Sequence, residues 1–394
     1  DKGKEVELVA PASNEGILSK LYFSQLHHCR ELMIKQKIGR IFRKFGLINA
    51  AKPIPPSKPV EPGSYYEMAL AYIPQLQSLY YSNQAAGRSI DSMTTQNELA
   101  FLRAYGKDLY TGLGKIIDLG CWFGATSAAL AEGLSENSRS NISDIVEAYD
   151  LFDWEGWMDP IKDQIGMKAE LAPGDCFLSI VENNLSDYGS RIILHKQDLS
   201  QYTPPAHWKI EFLFVDAMKN WSLADIISRS FFPKMIGGES LVVMQDFAFY
   251  DPIVATNHLV MWHLRDFFVP LHHVPDSCSM VFMTSKAPTL SDLMPYAALA
   301  FDEADIAAAY EYCLPLVQES MQPSLKVARL CHHLLCQHQQ GALQAIDTLA
   351  QDALTKPMIK TIERCCVETY DPPTLQWQTF QPDLRAALHP LLAN

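Results

Sequence analysis

The sequence predicts an α/β fold: a doubly wound, mostly parallel sheet with helices on both sides. The first observation is the segment Lys115–Leu130, in which a short apolar run precedes two glycines and then residues of helical composition. A strand, a tight glycine turn and a helix in this order form the first unit of such a sheet. The second observation is the alternation of strand-like and helix-like runs between residues 115 and 285, which is typical of parallel strands joined by crossover helices.

Each predicted strand is a short run, mainly apolar, that ends near a charged or turn-forming residue. The predicted strands are Ile116–Leu119, Ile145–Asp150, Arg191–His195, Glu211–Asp216, Ser240–Gln245, Phe268–Val274 and Ser279–Thr284. The predicted helices among them are Ala125–Leu134, Gly174–Leu185, Ser222–Met235 and Asn257–Phe267. We expect the last two strands to pair antiparallel and to close the sheet, with one strand reversed at its edge.

Helical extensions are predicted on both sides of this sheet domain, which spans residues 64–287 with two N-terminal lid helices. These helices are predicted at Tyr65–Asn83 and at Thr94–Tyr105, the latter capped by Thr94 or Thr95. Before them, residues 1–48 predict a helical segment, and residues 49–63, with five prolines in fifteen positions, predict an extended linker. Residues 288–394 predict an all-helical extension, with periodic runs at Ile306–Leu316, Leu325–Cys336 and Ala342–Ala353; it is either a structural cap or a surface for oligomerisation or docking.

Composition restricts the classes of partner. A formal net charge of −13 argues against nucleic acid, because binding to phosphates needs a basic surface. The 394-residue chain has no apolar run long enough for a membrane span and no signal peptide at its start, so we expect a cytoplasmic protein. Since it begins at Asp1, we also expect it to be trimmed or to be part of a larger multidomain enzyme; a homo-oligomer is the other arrangement considered.

Acidic residues recur where the predicted strands end. They are Asp118, Asp150, Asp198, Asp216 and Asp246. Ligands of open α/β sheets bind beyond the carboxyl ends of the strands, so these carboxylates predict a binding site at that edge. For any one of them alone, a solvated loop position is an equally good interpretation.

The run Asp118–Gly124 resembles motif I of class I S-adenosylmethionine-dependent methyltransferases. Its Gly-x-Trp-x-Gly form, made by Gly120, Trp122 and Gly124, is similar to that of macrocin O-methyltransferase-like enzymes, which act on sugars of natural products. Trp122 stands where the common pattern has a third glycine. The resemblance implies a Rossmann-like sheet of seven strands and S-adenosyl-L-methionine as cofactor.

The resemblance also implies roles for single residues. The motif, with Asp118, would approach the amino-acid end of the cofactor. Asp150 would bind the ribose hydroxyls and Asp198 the adenine amino group. Asp216 completes the predicted cofactor-binding set.

The pattern Asp216-x-x-Lys219 is similar to that of catechol O-methyltransferases, in which the aspartate binds magnesium and the lysine is the general base. Asp246 and Gln245 stand where further oxygen ligands are expected, which suits Mg²⁺. A metal-free Asp216–Lys219 ion pair remains the alternative. His258 is the second candidate base, whereas His332 and His333 are expected to face solvent.

These observations predict an O-methyltransferase that acts on a hydroxyl of a sugar or another small natural product. The alternative is a non-catalytic module that keeps the methyltransferase fold for docking within a larger assembly.

Overall fold

The computed structural model describes residues 64–80, 90–141, 143–165, 170–350 and 352–392. The helical segment predicted over residues 1–48 and the linker predicted over residues 49–63 lie outside them. In the described part of the chain, no helix is both long and apolar enough to span a membrane.

One sheet of seven strands organises the structure. In chain order the strands are β1 (Lys115–Leu119), β2 (Val146–Asp150), β3 (Ile192–Lys196), β4 (Ile210–Val215), β5 (Leu241–Met244), β6 (Phe268–His273) and β7 (Met280–Thr284). Their order across the sheet is β3-β2-β1-β4-β5-β7-β6. Strands β1 to β5 are parallel, and β7 is antiparallel to both of its neighbours. The predicted fold class and the antiparallel closing pair are confirmed, but the reversed strand lies inside the edge strand β6 rather than at the edge.

Twelve α-helices are described. Before and within the sheet they are α1 (Ser64–Leu79), α2 (Gln96–Ala104), α3 (Ala125–Glu136), α4 (Asp159–Ile165), α5 (Leu178–Asn184), α6 (Trp221–Ser230) and α7 (Ala255–His263). After the sheet follow α8 (Glu303–Cys313), α9 (Gln322–Leu335), α10 (Gln339–Leu349), α11 (Lys356–Cys365) and α12 (Leu375–Leu392). Of the two predicted caps, Thr95 begins α2: its hydroxyl accepts from the Glu98 amide, and the Glu98 side chain accepts from the Thr95 amide.

The central strands β1, β2, β4 and β5 are buried on both faces, as is typical of parallel strands covered by helices. All six residues of β4 are buried, and the four from Phe212 to Val215 alternate between two apolar cores. Phe212 and Phe214 contribute to a core with α1, α2 and α3, where the Tyr105 ring stacks on Phe212 at 4.1 Å between centroids. Leu213 and Val215 contribute to a second core with α6, α7 and α8.

The C-terminal helices share this second core with the sheet. Tyr310 of α8 is fully buried, and its ring lies 4.9 Å from that of His258 on α7. Residues Phe301, Ile306 and Leu325 join the same cluster. Helices α9 to α12 then form a further apolar cluster of their own, so the extension is packed onto the outer face of α7 rather than tethered to the sheet by a linker.

The prediction that His332 and His333 face solvent is wrong. Both are fully buried, because α9 packs against α8, α10 and α11 and leaves no open face. The His332 ring lies between Trp221 and Tyr370, at 6.0 and 6.1 Å between centroids.

Candidate active site

The turn after β1 is left-handed at three residues. The φ angles are +89° at Gly120, +45° at Trp122 and +91° at Gly124, and Gly124 begins α3. Left-handed backbone is easy for glycine and costly for tryptophan. A Cβ at Gly120 would come within 3.0 Å of the Asp216 backbone, and one at Gly124 within 2.8 Å of the Leu185 side chain. Backbone conformation and packing within the chain are therefore sufficient to require glycine at both positions, whether or not a ligand approaches the turn.

Asp118, in β1, is completely buried, and only one of its two carboxylate oxygens has hydrogen-bond partners among the described residues. Its Oδ2 accepts hydrogen bonds from Thr126 Oγ1 at 2.7 Å and Ser127 Oγ at 2.5 Å. Its Oδ1 has no hydrogen-bond partner among the described residues. Burial raises the pKa of this carboxyl group to about 6, although both hydroxyls oppose the shift. The first turn of α3 thus holds one oxygen of Asp118 and leaves the other available to a donor.

Thr126 and Ser127 were not singled out from the sequence. They lie eight and nine residues after Asp118, at the start of the helix that follows the glycine turn. Two adjacent hydroxyls in that position are the signal that could have predicted the contact, since a strand–turn–helix unit brings the first helical turn back beside the end of the strand.

Asp150, at the tip of β2, braces the glycine turn. Its Oδ2 accepts from the Trp122 amide and its Oδ1 from the Phe152 amide, both at 2.9 Å. Burial raises the pKa of Asp150, against the effect of these backbone hydrogen bonds. Each carboxylate oxygen can accept a second hydrogen bond, so the group can still receive two hydroxyls. The Trp122 indole Nε1 is buried and has no hydrogen-bond partner among the described residues.

Asp198 lies after β3 and caps the short turn Leu199–Gln201. Its Oδ1 accepts from the Ser200 amide at 2.8 Å and its Oδ2 from Gln201 Nε2 at 3.0 Å. Its hydrogen bonds with Ser200 lower the pKa of this carboxyl group. The side chain is partly exposed, which leaves it accessible at the same sheet edge.

A group of two aspartates and one lysine lies where the adjacent strands β4 and β5 end. Lys219 Nζ donates hydrogen bonds to Asp216 Oδ1 and to Asp246 Oδ2 and so joins the two carboxylates. The side chains are 23% exposed for Asp216 and 19% for Asp246. The pKa of Asp216 is raised to about 7 by its burial, with Lys219 lowering it and Asp246 raising it. Burial alone would lower the pKa of Lys219, but the two carboxylates raise it above its ordinary value. Lys219 therefore stays protonated at neutral pH.

Of the other two predicted residues near β5, Gln245 is half-buried and His258 is fully buried. Gln245 Oε1 is buried and has no hydrogen-bond partner among the described residues. His258 is fully buried, and its Nε2 donates to the Phe247 carbonyl. Burial lowers the pKa of His258 to about 4. The structure therefore places His258 behind the loop that carries Asp246, between Phe247 and Tyr310, and does not bring it to the acidic group.

Comparison with known proteins gives structural likeness alone. No protein-family model matches the chain, and no curated protein matches it. It is similar to the solved structure of the O-methyltransferase NovP, at 13% identity and a TM-score of 0.39, over 56% of this chain and 98% of that one. It is similar to apo CalS11, a TDP-rhamnose 3'-O-methyltransferase of calicheamicin biosynthesis, at 13% identity and a TM-score of 0.36, over 60% of this chain and 99% of that one. It is also similar to coclaurine N-methyltransferase, at 11% identity and a TM-score of 0.25, over 95% of each chain.

The strand order is the observation that decides the fold. A sheet ordered β3-β2-β1-β4-β5-β7-β6 with β7 reversed has the topology of the class I methyltransferase sheet. The chain has the class I methyltransferase fold. In this fold Asp118, Asp150, Asp198, Asp216 and Asp246 all belong to the carboxyl-end edge of the parallel strands, at or near the residues where those strands end.

Proposed function

We propose that this chain is an S-adenosylmethionine-dependent methyltransferase that methylates a hydroxyl of a small acceptor, a sugar or another natural product. The observation that supports this most strongly is Asp118 Oδ1, a buried acceptor without a hydrogen-bond partner among the described residues. An unsatisfied buried polar atom costs about 1–3 kcal/mol. Such a cost is offset when a ligand supplies the missing donor, and the ammonium group of the methyl donor is a donor of the right charge.

The residues around Asp118 fit the remaining parts of the donor. Asp150 is held by two backbone amides with its outer lone pairs free for a ribose diol, and Asp198 is partly exposed on the next strand. Both lie at the sheet edge where nucleotides bind in doubly wound folds. The Trp122 indole N–H, buried beside this turn, is a further donor that the ligand could satisfy.

The acidic group at β4 and β5 fits the acceptor side of the reaction. S-adenosylmethionine supplies an electrophilic methyl group on its sulfonium. The acceptor oxygen would form an O–CH₃ bond as the S–CH₃ bond of the donor breaks, S-adenosylhomocysteine would leave as a neutral thioether, and the hydroxyl would give up its proton. Asp216, whose pKa is raised by its burial, is a carboxylate that can receive that proton. We assign the proton to Asp216 rather than to Lys219, which is already protonated, or to His258, which faces away.

The sugar or natural-product character of the acceptor rests on the Gly-x-Trp-x-Gly motif and its resemblance to macrocin O-methyltransferase-like enzymes. The alternative, a non-catalytic module that docks within a larger assembly, is favoured by the large C-terminal extension packed on α7. The two functions differ in one property: a docking module has no need to bind the methyl donor.

Isothermal titration of the full chain with S-adenosylmethionine and with S-adenosylhomocysteine tests the proposal. We expect dissociation constants in the micromolar range, and transfer of a labelled methyl group to at least one member of a panel of sugar nucleotides and phenols. The matched control is Asp352→Asn, an aspartate paired with Lys326 in the C-terminal helices, away from the strand ends, which should leave binding unchanged. Absence of binding to either compound by a folded chain would favour the docking module.

A further inference from the structure

Lys219 occupies the position between two carboxylates in which a divalent metal would be expected. Its ammonium group contacts Asp216 Oδ1 and Asp246 Oδ2, and these carboxylates come from loops that follow neighbouring parallel strands, β4 and β5. Two carboxylates this close repel each other unless a cation or a proton lies between them. In this chain that cation is the ammonium group of Lys219, a side chain three residues after Asp216.

The residues present do not fit a magnesium site. Magnesium prefers six oxygen ligands in octahedral geometry and is usually held by one or two carboxylates that are open to it. Here one oxygen of each carboxylate is taken by Lys219. Among the residues that the structure describes, no group of three or more His, Cys, Asp or Glu side chains is arranged to hold a metal ion. The residue after Asp246 is Phe247, which is fully buried and apolar, so the loop adds only the neutral amide oxygen of Gln245.

The net charge of the Asp216–Lys219–Asp246 group also argues against a divalent metal ion. With both carboxylates ionised, the two aspartates and the lysine carry a net charge of −1. This suits the positive sulfonium of the proposed methyl donor. A divalent cation added to the protonated lysine would reverse the sign of the group to +1 and place like charges next to each other.

We infer that Lys219 is the resident cation of this site and makes it independent of divalent metals. The inference rests on the proposed function only where it concerns methyl transfer, which would then need no metal ion. The exclusion of metal ions from the site depends on the Asp216–Lys219–Asp246 group alone. It predicts that removal of the ammonium group converts the two carboxylates into a metal site.

Binding of Mn²⁺, followed by electron paramagnetic resonance on the full chain, tests this directly. Wild type should show no saturable Mn²⁺ binding up to about 1 mM, and Lys219→Met should bind Mn²⁺ at least tenfold more tightly. The added change Asp246→Asn should abolish that gain. Lys196→Met is the matched control, because it removes a lysine from a different aspartate, Asp153, and it should gain no binding.

The wild-type titration decides the matter even if Lys219→Met fails to fold. Saturable Mn²⁺ binding by wild type that Asp216→Asn removes would overturn the inference. So would a folded Lys219→Met protein that binds Mn²⁺ no better than wild type. Titration with S-adenosylmethionine, with and without excess EDTA, separates this question from the proposed function. Absence of donor binding in both conditions counts against the methyltransferase. Donor binding that is lost only in EDTA counts against metal independence.

Discussion

The Asp150 carboxylate accepts a hydrogen bond from the Trp122 backbone amide at 2.9 Å, so the tip of β2 holds the left-handed turn after β1 in place. The same carboxylate also holds the Phe152 amide at 2.9 Å. One side chain thus fixes two loops at the sheet edge and is the predicted ribose ligand as well. Measurements of protein stability and of donor affinity separate the structural role of Asp150 from its role in binding.

We predict that Asp150→Ala weakens S-adenosylmethionine binding at least tenfold and also lowers stability. Each backbone amide that loses its acceptor costs about 1–3 kcal/mol, and each charge-assisted bond to ribose is worth about 1.5–3 kcal/mol. Calorimetry and urea denaturation measure the two effects. Asp150→Asn should recover part of the stability, because the amide oxygen can still accept one backbone hydrogen bond. A dissociation constant unchanged in both variants would remove Asp150 from the site.

The affinity for S-adenosylmethionine should fall as the pH drops below about 6. The pKa of Asp118 is raised to about 6 by burial, and only the ionised carboxylate can pair with an ammonium group. Below that pH the affinity should fall by up to about tenfold per pH unit. Asp118→Asn should bind more weakly at pH 7.5 and lose this part of the pH dependence. Asp150, whose pKa is also raised, is present in both proteins, so the difference between their profiles isolates Asp118. Parallel profiles would contradict the assignment.

Protein stability should fall on acidification partly because of His332. Burial lowers the pKa of this fully buried side chain to about 3, whereas the unfolded chain binds the proton near the ordinary value of about 6.5. The unfolded state therefore binds more protons between these values, and stability decreases as the pH falls through this window, by up to about 1.4 kcal/mol per pH unit.

The test compares slopes rather than absolute stabilities, because a substitution in the core costs stability at every pH. Urea denaturation between pH 6 and pH 4 should give a shallower pH dependence for His332→Asn than for wild type. His258 and His333, also buried, contribute equally to both proteins. The exposed His389 supplies the control, His389→Asn, which should keep the wild-type slope. Equal slopes for His332→Asn and wild type would show that His332 does not titrate as described.

Tyr310 should matter for stability and not for donor binding. It is fully buried in the core between α7 and α8, so Tyr310→Ala should cost about 3–5 kcal/mol. The folded fraction should bind S-adenosylmethionine as wild type does, since the cofactor residues lie at the sheet edge. Leu343→Ala, at a side chain that is 39% exposed on α10, is the matched control with little effect. Weakened binding by folded Tyr310→Ala would mean that the extension reaches the site.

The shared core also bears on the prediction that the sheet domain ends near residue 287. Removal of all residues after Lys286 would take away Phe301 and Ile306 and expose residues of α7 that share their core, such as Leu259 and Val260. We therefore expect a chain that stops near Lys286 to be insoluble or strongly destabilised, even though its cofactor residues are all retained. Recovery of such a chain in soluble form with wild-type donor affinity would show instead that the extension is dispensable.

The strands and their terminal acids could be predicted because both are local features. A short apolar run followed by an acid marks a buried strand and its carboxyl end, and β1 to β5 lie within one or two residues of their predicted bounds. The helices α11 and α12 were expected only as part of the all-helical extension over residues 288–394, without bounds of their own. Helix α12 contains Pro382 and Pro390, which interrupt the periodic pattern on which helix prediction depends.

Contacts between distant residues could not be predicted in the same way. Lys219 and Asp246 are 27 positions apart, and the sequence left open whether a metal or the lysine joins the two aspartates. His332 and His333 have polar side chains that suggest an exposed face, but the packing of α8, α10 and α11 around α9 buries them. The sequence position of a histidine within a helix therefore gives little information about its burial when several other helices pack against that helix.

A crystal structure of the full chain with S-adenosylhomocysteine tests the central claim most directly. We predict the ligand at the carboxyl ends of β1 and β2, with its ammonium group within hydrogen-bond distance of Asp118 Oδ1 and its ribose hydroxyls on Asp150. The sulfur should point toward Asp216 and Lys219. Asp118 Oδ1 without a ligand contact, or a ligand bound away from this edge, would contradict the account.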